Sequence, residues 1–181
     1  GAVLAGVLLA LPQLRGEPAH PAGTGTARPA LLPRSPAIWL LGGMALFCMV
    51  PEGAVLDWAA LYLGDALGAG PVAAGLGFDF FAGAMAVMRF AGDALRNRFG
   101  AVATLRGSGL LAAAGLLLAA VAPGVPLALA GFVLAGLGVA NMVPIVFSAA
   151  GNLPGFAAGA ALSTVTMVGY AGILVAPSSI G

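Results

Sequence analysis

Three carboxylates stand in stretches of this chain that are otherwise apolar. The run MVPEGAVLDWAALYL holds Glu52 and Asp57, and the run GLGFDFFAGAMAVMRF holds Asp79. A charged side chain is costly in hydrocarbon, so ionisable residues of membrane spans usually face a bundle interior or a water-filled cavity and mark a pathway. Loss of water favours the neutral acid, so a deep carboxyl could bind and release a proton during a cycle. These residues therefore suggest the transfer of a proton or a small solute across a membrane.

Glu52 and Asp57 are expected to differ in depth and in direction. Pro51 has no N–H group and Gly53 follows it, so the sequence VPEG predicts a kink near the middle of the span. At about 1.5 Å per residue, Glu52 lies near the bilayer midplane and Asp57 about 7–8 Å nearer the outer surface. Five positions correspond to about 500° of rotation, which separates the two directions by about 140°. Glu52 is the first candidate for coupling or substrate binding, and Asp57 is either a second candidate or an interface anchor beside Trp58.

Two further polar side chains lie within apolar stretches. Asp79 is expected about two turns from the outer end of its span, with a partner on another helix that the sequence does not name. Asn141, in GLGVANMVPIVFSAAG, is either a hydrogen-bonding contact between helices or a contact to substrate. Pro144 follows it and predicts a break in that helix.

The sequence contains no recognisable catalytic set. It has no G-x-S-x-G, no HExxH and no phosphate-binding Gly-Lys loop. His20 is the only histidine and stands in a proline-rich segment, and Cys48 is the only cysteine. An internal disulfide is therefore impossible, a His/Cys metal site is not indicated, and no cofactor is expected. An enzyme is the least favoured class of function.

The composition indicates a membrane protein. Of 181 residues, 61% are hydrophobic and 7% are charged, whereas a soluble domain is about 45–50% apolar and about 25% charged. The seven basic residues are all arginines dispersed along the chain, which is unlike a nucleic-acid footprint. Because a segment in lipid must satisfy its own backbone hydrogen bonds, the fold class predicted is an all-α polytopic transmembrane bundle with the lipid bilayer as its solvent.

Five stretches are long enough to span a bilayer, which takes about 20 apolar residues. Residues 1–11 are expected to end a preceding transmembrane helix, and residues 12–36, rich in proline and glycine, to form a cytoplasmic linker. The remaining 37–181 form the bundle, in whose last span Gly155 and Gly159 have a spacing that suits close helix packing. The predicted spans are 37–63, 72–91, 101–121, 126–149 and 156–176.

The arginines predict the orientation of these spans. Three of them lie in the linker 12–36, and the others flank or occupy the connector after the second span. The connectors 64–70 and 122–125 carry none. By the positive-inside rule, the linker and the segment 92–100 are expected to be cytoplasmic.

The segment RFAGDALRNRFG, from Arg89 to Gly100, resembles the signature cytoplasmic loop of the major facilitator superfamily between its eighth and ninth helices. The linker, the acidic span with its proline and the terminal APSSIG look like the same region of that family. The resemblance runs from the end of the sixth helix through the eleventh. The family usually has an acid where this chain has Asn97, and Asp93 is a candidate to supply the missing charge. The residues expected to act as its conformational switch are Arg89, Gly92, Asp93, Arg98 and Gly100.

The resemblance implies a secondary active transporter that moves a small solute by alternating access, with protons as the coupling ion. The site residues expected for this pathway are Glu52, Asp57, Asp79 and Asn141. The first half of the same transporter would be a missing N-terminal partner. The alternative is a non-transporting membrane subunit or sensor built on a transporter-like fold, in which the buried acids pair permanently with a partner.

Overall fold

The structure is a computed structural model that describes the backbone of residues 35–180 and the side chains of residues 35–172. The predicted span end 1–11 and nearly all of the linker 12–36 lie outside the described residues. Every element of the described part is helical, which confirms the all-α fold class. The elements are α1 (Pro36–Leu61), a π-helical turn (Tyr62–Ala66), α2 (Pro71–Phe99), α3 (Ala101–Ala120), α4 (Val125–Val139), α5 (Met142–Gly151) and α6 (Ala158–Ile180).

Local sequence sets several of these boundaries. Proline stands in the first turn of α1, α2 and α4, where the missing N–H group would have had no intrahelical partner. Gly100 ends α2 with a φ of 80°, and its N–H donates to the carbonyl of Arg96 at 2.8 Å. A positive φ is readily adopted by glycine alone. The chain therefore reverses at one residue, and α3 begins at Ala101.

Four helical segments of the described chain are long and apolar enough to cross a membrane. They are Pro36–Ala66, Pro71–Phe99, Ala101–Ala120 and Val125–Gly151, and they correspond to the first four predicted spans. The fifth predicted span, 156–176, forms α6. The first span includes the π-helical turn, so its helical structure continues past the predicted end at Leu63 to Ala66.

The segment 92–100, predicted as a connecting loop, is helical as far as Phe99. Hydropathy falls after residue 91 because charged side chains begin there, but Ala, Leu and Arg are strong helix formers and carry α2 onward. Arg96 and Arg98 also lie in its last turn, where cations interact favourably with the helix dipole. At 29 residues, α2 is about 43 Å long. The positions expected in a flexible switch loop, from Gly92 to Arg98, are therefore held in fixed register on a helix.

The two prolines inside the predicted spans have different effects. α1 runs through Pro51 as one continuous helix. The second half of the Val125–Gly151 segment is interrupted, because α4 ends at Val139 and α5 begins at Met142. Pro144 has no N–H to donate to the carbonyl four residues earlier, that of Ala140. The break predicted near Pro144 therefore lies at Ala140 and Asn141.

Glycines allow α3 and α4 to approach until their backbones touch. A Cβ added at Gly131 would lie 2.5 Å from the backbone nitrogen of Ala119, and one added at Gly138 would lie 2.7 Å from the carbonyl oxygen of Ser108. In lipid, such van der Waals packing replaces hydrophobic burial as the main attraction between helices. Gly155 and Gly159, predicted to pack closely, have no described atom within 4 Å of a Cβ built at either position, so they make no close contact with the described helices.

α1 packs on two groups of helices. Toward α2, α3 and α4 it contributes Val55 and Ala59, which lie in a buried cluster with Phe81 and Phe132. Toward α5 and α6 it contributes Ile38, Ala45 and Cys48. These residues form a second buried cluster with Val146, Ala150, Ala161 and Val165. Two faces of α1 are therefore buried against other helices.

Candidate functional site

Glu52 lies in the interior of α1, half-buried, and one turn beyond Cys48. Cys48 belongs to the face of α1 that packs against Val146 and Ala150 of α5. The neighbours Gly53 and Val55 are buried. Within the described part of the chain, the Glu52 carboxylate makes no hydrogen bond and no ion pair. The carboxylate is therefore partly enclosed and has no cation bonded to it among the described residues.

Asp57 is exposed on α1 and also makes no bond within the described chain. It is five positions from Glu52 on one continuous helix, so the two carboxylates project about 140° apart. Beside it, the indole nitrogen of Trp58 is buried without a hydrogen-bond partner. Trp58 lines an apolar pocket of about 260 Å³ together with Tyr62, Leu116 and Phe132. The two acids of α1 therefore do not form one site.

Tyr62 ties the end of the first span to α3. Its hydroxyl donates a hydrogen bond of 2.7 Å to the carbonyl of Ala119, and its ring meets Phe132 edge-on with centroids 6.5 Å apart. A hydrogen bond from a hydroxyl in an apolar environment contributes more to stability than an exposed one. Loss of that bond leaves a buried carbonyl without a donor. Tyr62 therefore joins the end of the first span to α3 and α4.

Asp79 lies on α2 and is exposed. It borders an open cleft of about 540 Å³ between α2 and α4, whose walls include Gly83, Val87, Val133 and Leu137. This cleft is almost wholly apolar apart from the carboxylate, which has no bonded partner within the described residues. A cleft of this kind has room for a small organic molecule and offers it one charged contact.

Asn141 is 5% exposed and occupies the turn between α4 and α5. A Cβ added at Gly92 of α2 would overlap its Oδ1, so the absence of a side chain at Gly92 admits the amide. Its Nδ2 is buried and has no hydrogen-bond partner within the described part of the chain. Asn141 was predicted as a helix contact or a substrate contact, and the structure places it against α2.

A cavity of about 230 Å³ surrounds this contact. Arg89, Gly92, Asp93 and Arg96 of α2 line it opposite Asn141 and Pro144. Arg96 donates a hydrogen bond of 2.9 Å to Ser148 Oγ of α5. Arg89 reaches only the sulfur of Met85, at 3.5 Å. The structure thus brings Asn141 together with three of the predicted switch residues, and this grouping connects α2 to α5.

The remaining predicted residues lie apart from this cavity. Arg98 stacks on the ring of Phe99, 5.5 Å from its centroid, and Gly100 forms the turn into α3. Glu52, Asp57 and Asp79 share no cavity and no contact with one another in the described chain. The Arg96–Ser148 bond was not predicted, because the 52 positions between the two residues give no sign of proximity.

Four described helical segments that are long and apolar enough to cross a membrane indicate a polytopic membrane protein. The chain belongs to the Major Facilitator Superfamily, whose family model matches residues 1–177. This confirms the resemblance found at the segment from Arg89 to Gly100. No solved structure matches the chain.

The relatives are bacterial proteins of the same kind. The chain is 38% identical over 144 residues to an uncharacterized MFS-type transporter of Yersinia pestis. The aligned region is 80% of this chain and 38% of that protein. It is 38% identical to the uncharacterized transporter y4wD of Sinorhizobium fredii, with 83% and 40% covered. It is 36% identical to the membrane protein MosC of Rhizobium meliloti, with 82% and 36% covered. The chain thus spans about two fifths of the length of these relatives.

Proposed function

We propose that the chain is the second half of a secondary active transporter that moves a small solute by alternating access, with protons as the coupling ion. Membership of the Major Facilitator Superfamily supports transport. The observation that carries the coupling is Glu52, a half-buried carboxyl inside a membrane helix that has no bonded partner among the described residues. Transporters of this kind work by rocking two halves around a site near the bilayer midplane.

The Glu52 carboxyl suits reversible protonation. An unpaired carboxylate in a medium of low dielectric is costly, so the group is stable there either as the neutral acid or in contact with water or a cation. If one conformation encloses the carboxyl and another opens it to water, the gain or loss of a proton is linked to the conformational cycle.

Asp79 and Asp57 have different roles in this proposal. Asp79 borders the open cleft between α2 and α4, so it is the candidate to bind a charged or hydrogen-bonding group of the solute. Asp57 projects away from Glu52 and lies beside Trp58 on an exposed part of α1, a position that suits an interface anchor.

The contact between α2 and α5 serves as the conformational switch. The Gly92–Asn141 contact and the Arg96–Ser148 bond hold the two helices together in this structure. Opening the cytoplasmic side would separate them, and closing it would form them again. In this arrangement the linker 12–36 and the α2 end near Gly100 face the cytoplasm of a bacterial inner membrane, as the arginines there favour.

The test is transport by the full-length protein in proteoliposomes, measured for a panel of solutes with and without a pH gradient. We expect gradient-driven accumulation of at least one solute. Glu52→Gln should abolish accumulation against a gradient but keep solute exchange at equilibrium, because exchange needs no net proton movement. Asp57→Asn is the matched control on the same helix and should keep both activities.

Two results would count against the proposal. Full gradient-driven accumulation by the Glu52→Gln protein would remove the proton role of that residue. Failure of every solute to be transported, together with no thermal stabilisation by any of them, would favour a non-transporting subunit or sensor on the same fold.

A further inference from the structure

The cavity at the start of α5 has the composition of a binding site. Arg89 and Arg96 bring two guanidinium groups to it, and Asp93 brings one carboxylate. Asp93 forms no ion pair with either arginine or with any other described residue. The cavity is therefore lined by one more basic than acidic side chain.

Much of the hydrogen-bonding capacity of these arginines is unused. Arg89 has only the Met85 sulfur as an acceptor, at 3.5 Å, and sulfur is a weak acceptor. Arg96 donates to Ser148 Oγ at 2.9 Å, but a guanidinium has about five N–H donors in a planar fork. The fork geometry matches two oxygens of a carboxylate or phosphate at once.

Asn141 adds a third, independent donor. It is the residue that precedes the first turn of α5, yet its side chain does not cap that helix. Among the described residues its Nδ2 has no hydrogen-bond partner, although Asn141 is only 5% exposed. Buried donors are nearly always satisfied by protein, water or a ligand. The N-terminus of the ten-residue helix α5 also carries a partial positive charge that favours an anion.

From these features we infer that the cavity binds a phosphate-type oxyanion with one negative charge. One such group offers enough acceptor oxygens for the Asn141 amide and the free N–H groups of Arg89 and Arg96 together. A cavity of about 230 Å³ is several times larger than the roughly 30 Å³ share of one water molecule, so the group fits. It is either a soluble phosphate compound or the headgroup of an anionic lipid. The inference rests on this cavity alone and does not depend on the proposed transport.

Because its donors come from α2 and from the α4–α5 turn, a bound oxyanion would hold these helices together. It would add to the Gly92–Asn141 contact and the Arg96–Ser148 bond described above. Occupancy would therefore stabilise the conformation in which α2 touches α5.

The experiment measures thermal unfolding of the purified full-length protein in lipid nanodiscs. One arm adds inorganic phosphate to nanodiscs of neutral phosphatidylcholine at constant ionic strength. The other arm adds no phosphate and compares phosphatidylcholine with mixtures that contain phosphatidylglycerol. Stabilisation in the first arm only identifies a soluble anion, and stabilisation in the second arm only identifies a lipid headgroup.

Arg89→Gln tests the site itself, because Arg89 is an exposed residue that lines the cavity. We expect the apparent affinity for the stabilising anion to fall about tenfold. Arg106→Gln is the matched control, an exposed arginine of α3 outside the cavity, and should change it less than about twofold. Equal losses in the two variants would show diffuse charge attraction and overturn the site. Absence of stabilisation by either source in the unsubstituted protein would overturn it as well.

Discussion

Replacing Gly138 by alanine tests whether backbone contact between α3 and α4 stabilises the bundle. The new Cβ would lie 2.7 Å from the carbonyl oxygen of Ser108, and it would also overlap the backbone nitrogen of Ala112. Both atoms belong to the α3 backbone, so no side-chain rotation can make room. The helices must separate, and each turn of their contact loses van der Waals attraction.

The expected size of the effect follows from two opposing contributions. Overpacking of a rigid interface costs about 1–3 kcal/mol. Glycine to alanine inside a helix stabilises by about 0.5–1 kcal/mol through the lower entropy of the unfolded chain. Gly138→Ala is therefore expected to destabilise the protein by about 1–2 kcal/mol. Gly43→Ala is the matched control, because it too lies inside a helix but nothing stands within 4 Å of its added Cβ; it should stabilise by about 0.5–1 kcal/mol.

The measurement is unfolding of the full-length protein in mixed micelles as the denaturing detergent is increased, followed by loss of helical circular dichroism. The detergent fraction at the midpoint of unfolding should be highest for Gly43→Ala, lower for the unsubstituted protein and lowest for Gly138→Ala. If Gly138→Ala unfolds together with Gly43→Ala, the close approach of α3 and α4 contributes nothing, and the reasoning from the glycines is refuted.

Three further substitutions follow from the contacts between helices and from the cleft. Tyr62→Phe should cost about 1 kcal/mol in the same unfolding assay, because it strands the Ala119 carbonyl; an unchanged midpoint would show that the bond is replaced. Gly92→Ala should disfavour the conformation in which α2 meets Asn141 by about tenfold, seen as faster labelling of a cysteine placed beside the cavity; equal labelling would contradict it. Asp79→Asn should weaken the apparent affinity for the solute by about tenfold while leaving proton coupling intact, and a loss of coupling alone would assign Asp79 a different role.

The sequence was a good guide wherever the physical cost of a residue is local. A carboxylate in hydrocarbon is costly whatever its neighbours are, so Glu52 and Asp79 could be singled out by residue type. The break near Pro144 was predictable because the missing N–H acts on the carbonyl four positions earlier. The extent of α2 was not predictable from hydropathy, because hydropathy marks only where the membrane span ends. Helix propensity extends the helix beyond that point to Phe99.

Contacts between helices could not be read from the chain. Whether Asn141 meets Gly92 depends on the relative rotation and height of α2 and α4, which no single segment encodes. The same holds for the glycines: Gly155 and Gly159 have the favoured spacing yet face open space, whereas Gly131 and Gly138 meet the α3 backbone. The candidate switch residues were thus predicted from the resemblance and stay a prediction, whereas the contact of Arg96 with Ser148 of α5 is seen only in the structure.

The partnerless indole of Trp58 gives the molecule an optical reporter. Its nitrogen is shielded from solvent and its ring lines the pocket shared by Tyr62 and Phe132, so its fluorescence should be blue-shifted and sensitive to anything that enters that pocket or moves α1 relative to α3. This chain has only two tryptophans, and Trp39→Phe would leave the emission of the chain to Trp58. Conformational change at the end of the first span could then be followed in real time without an attached label.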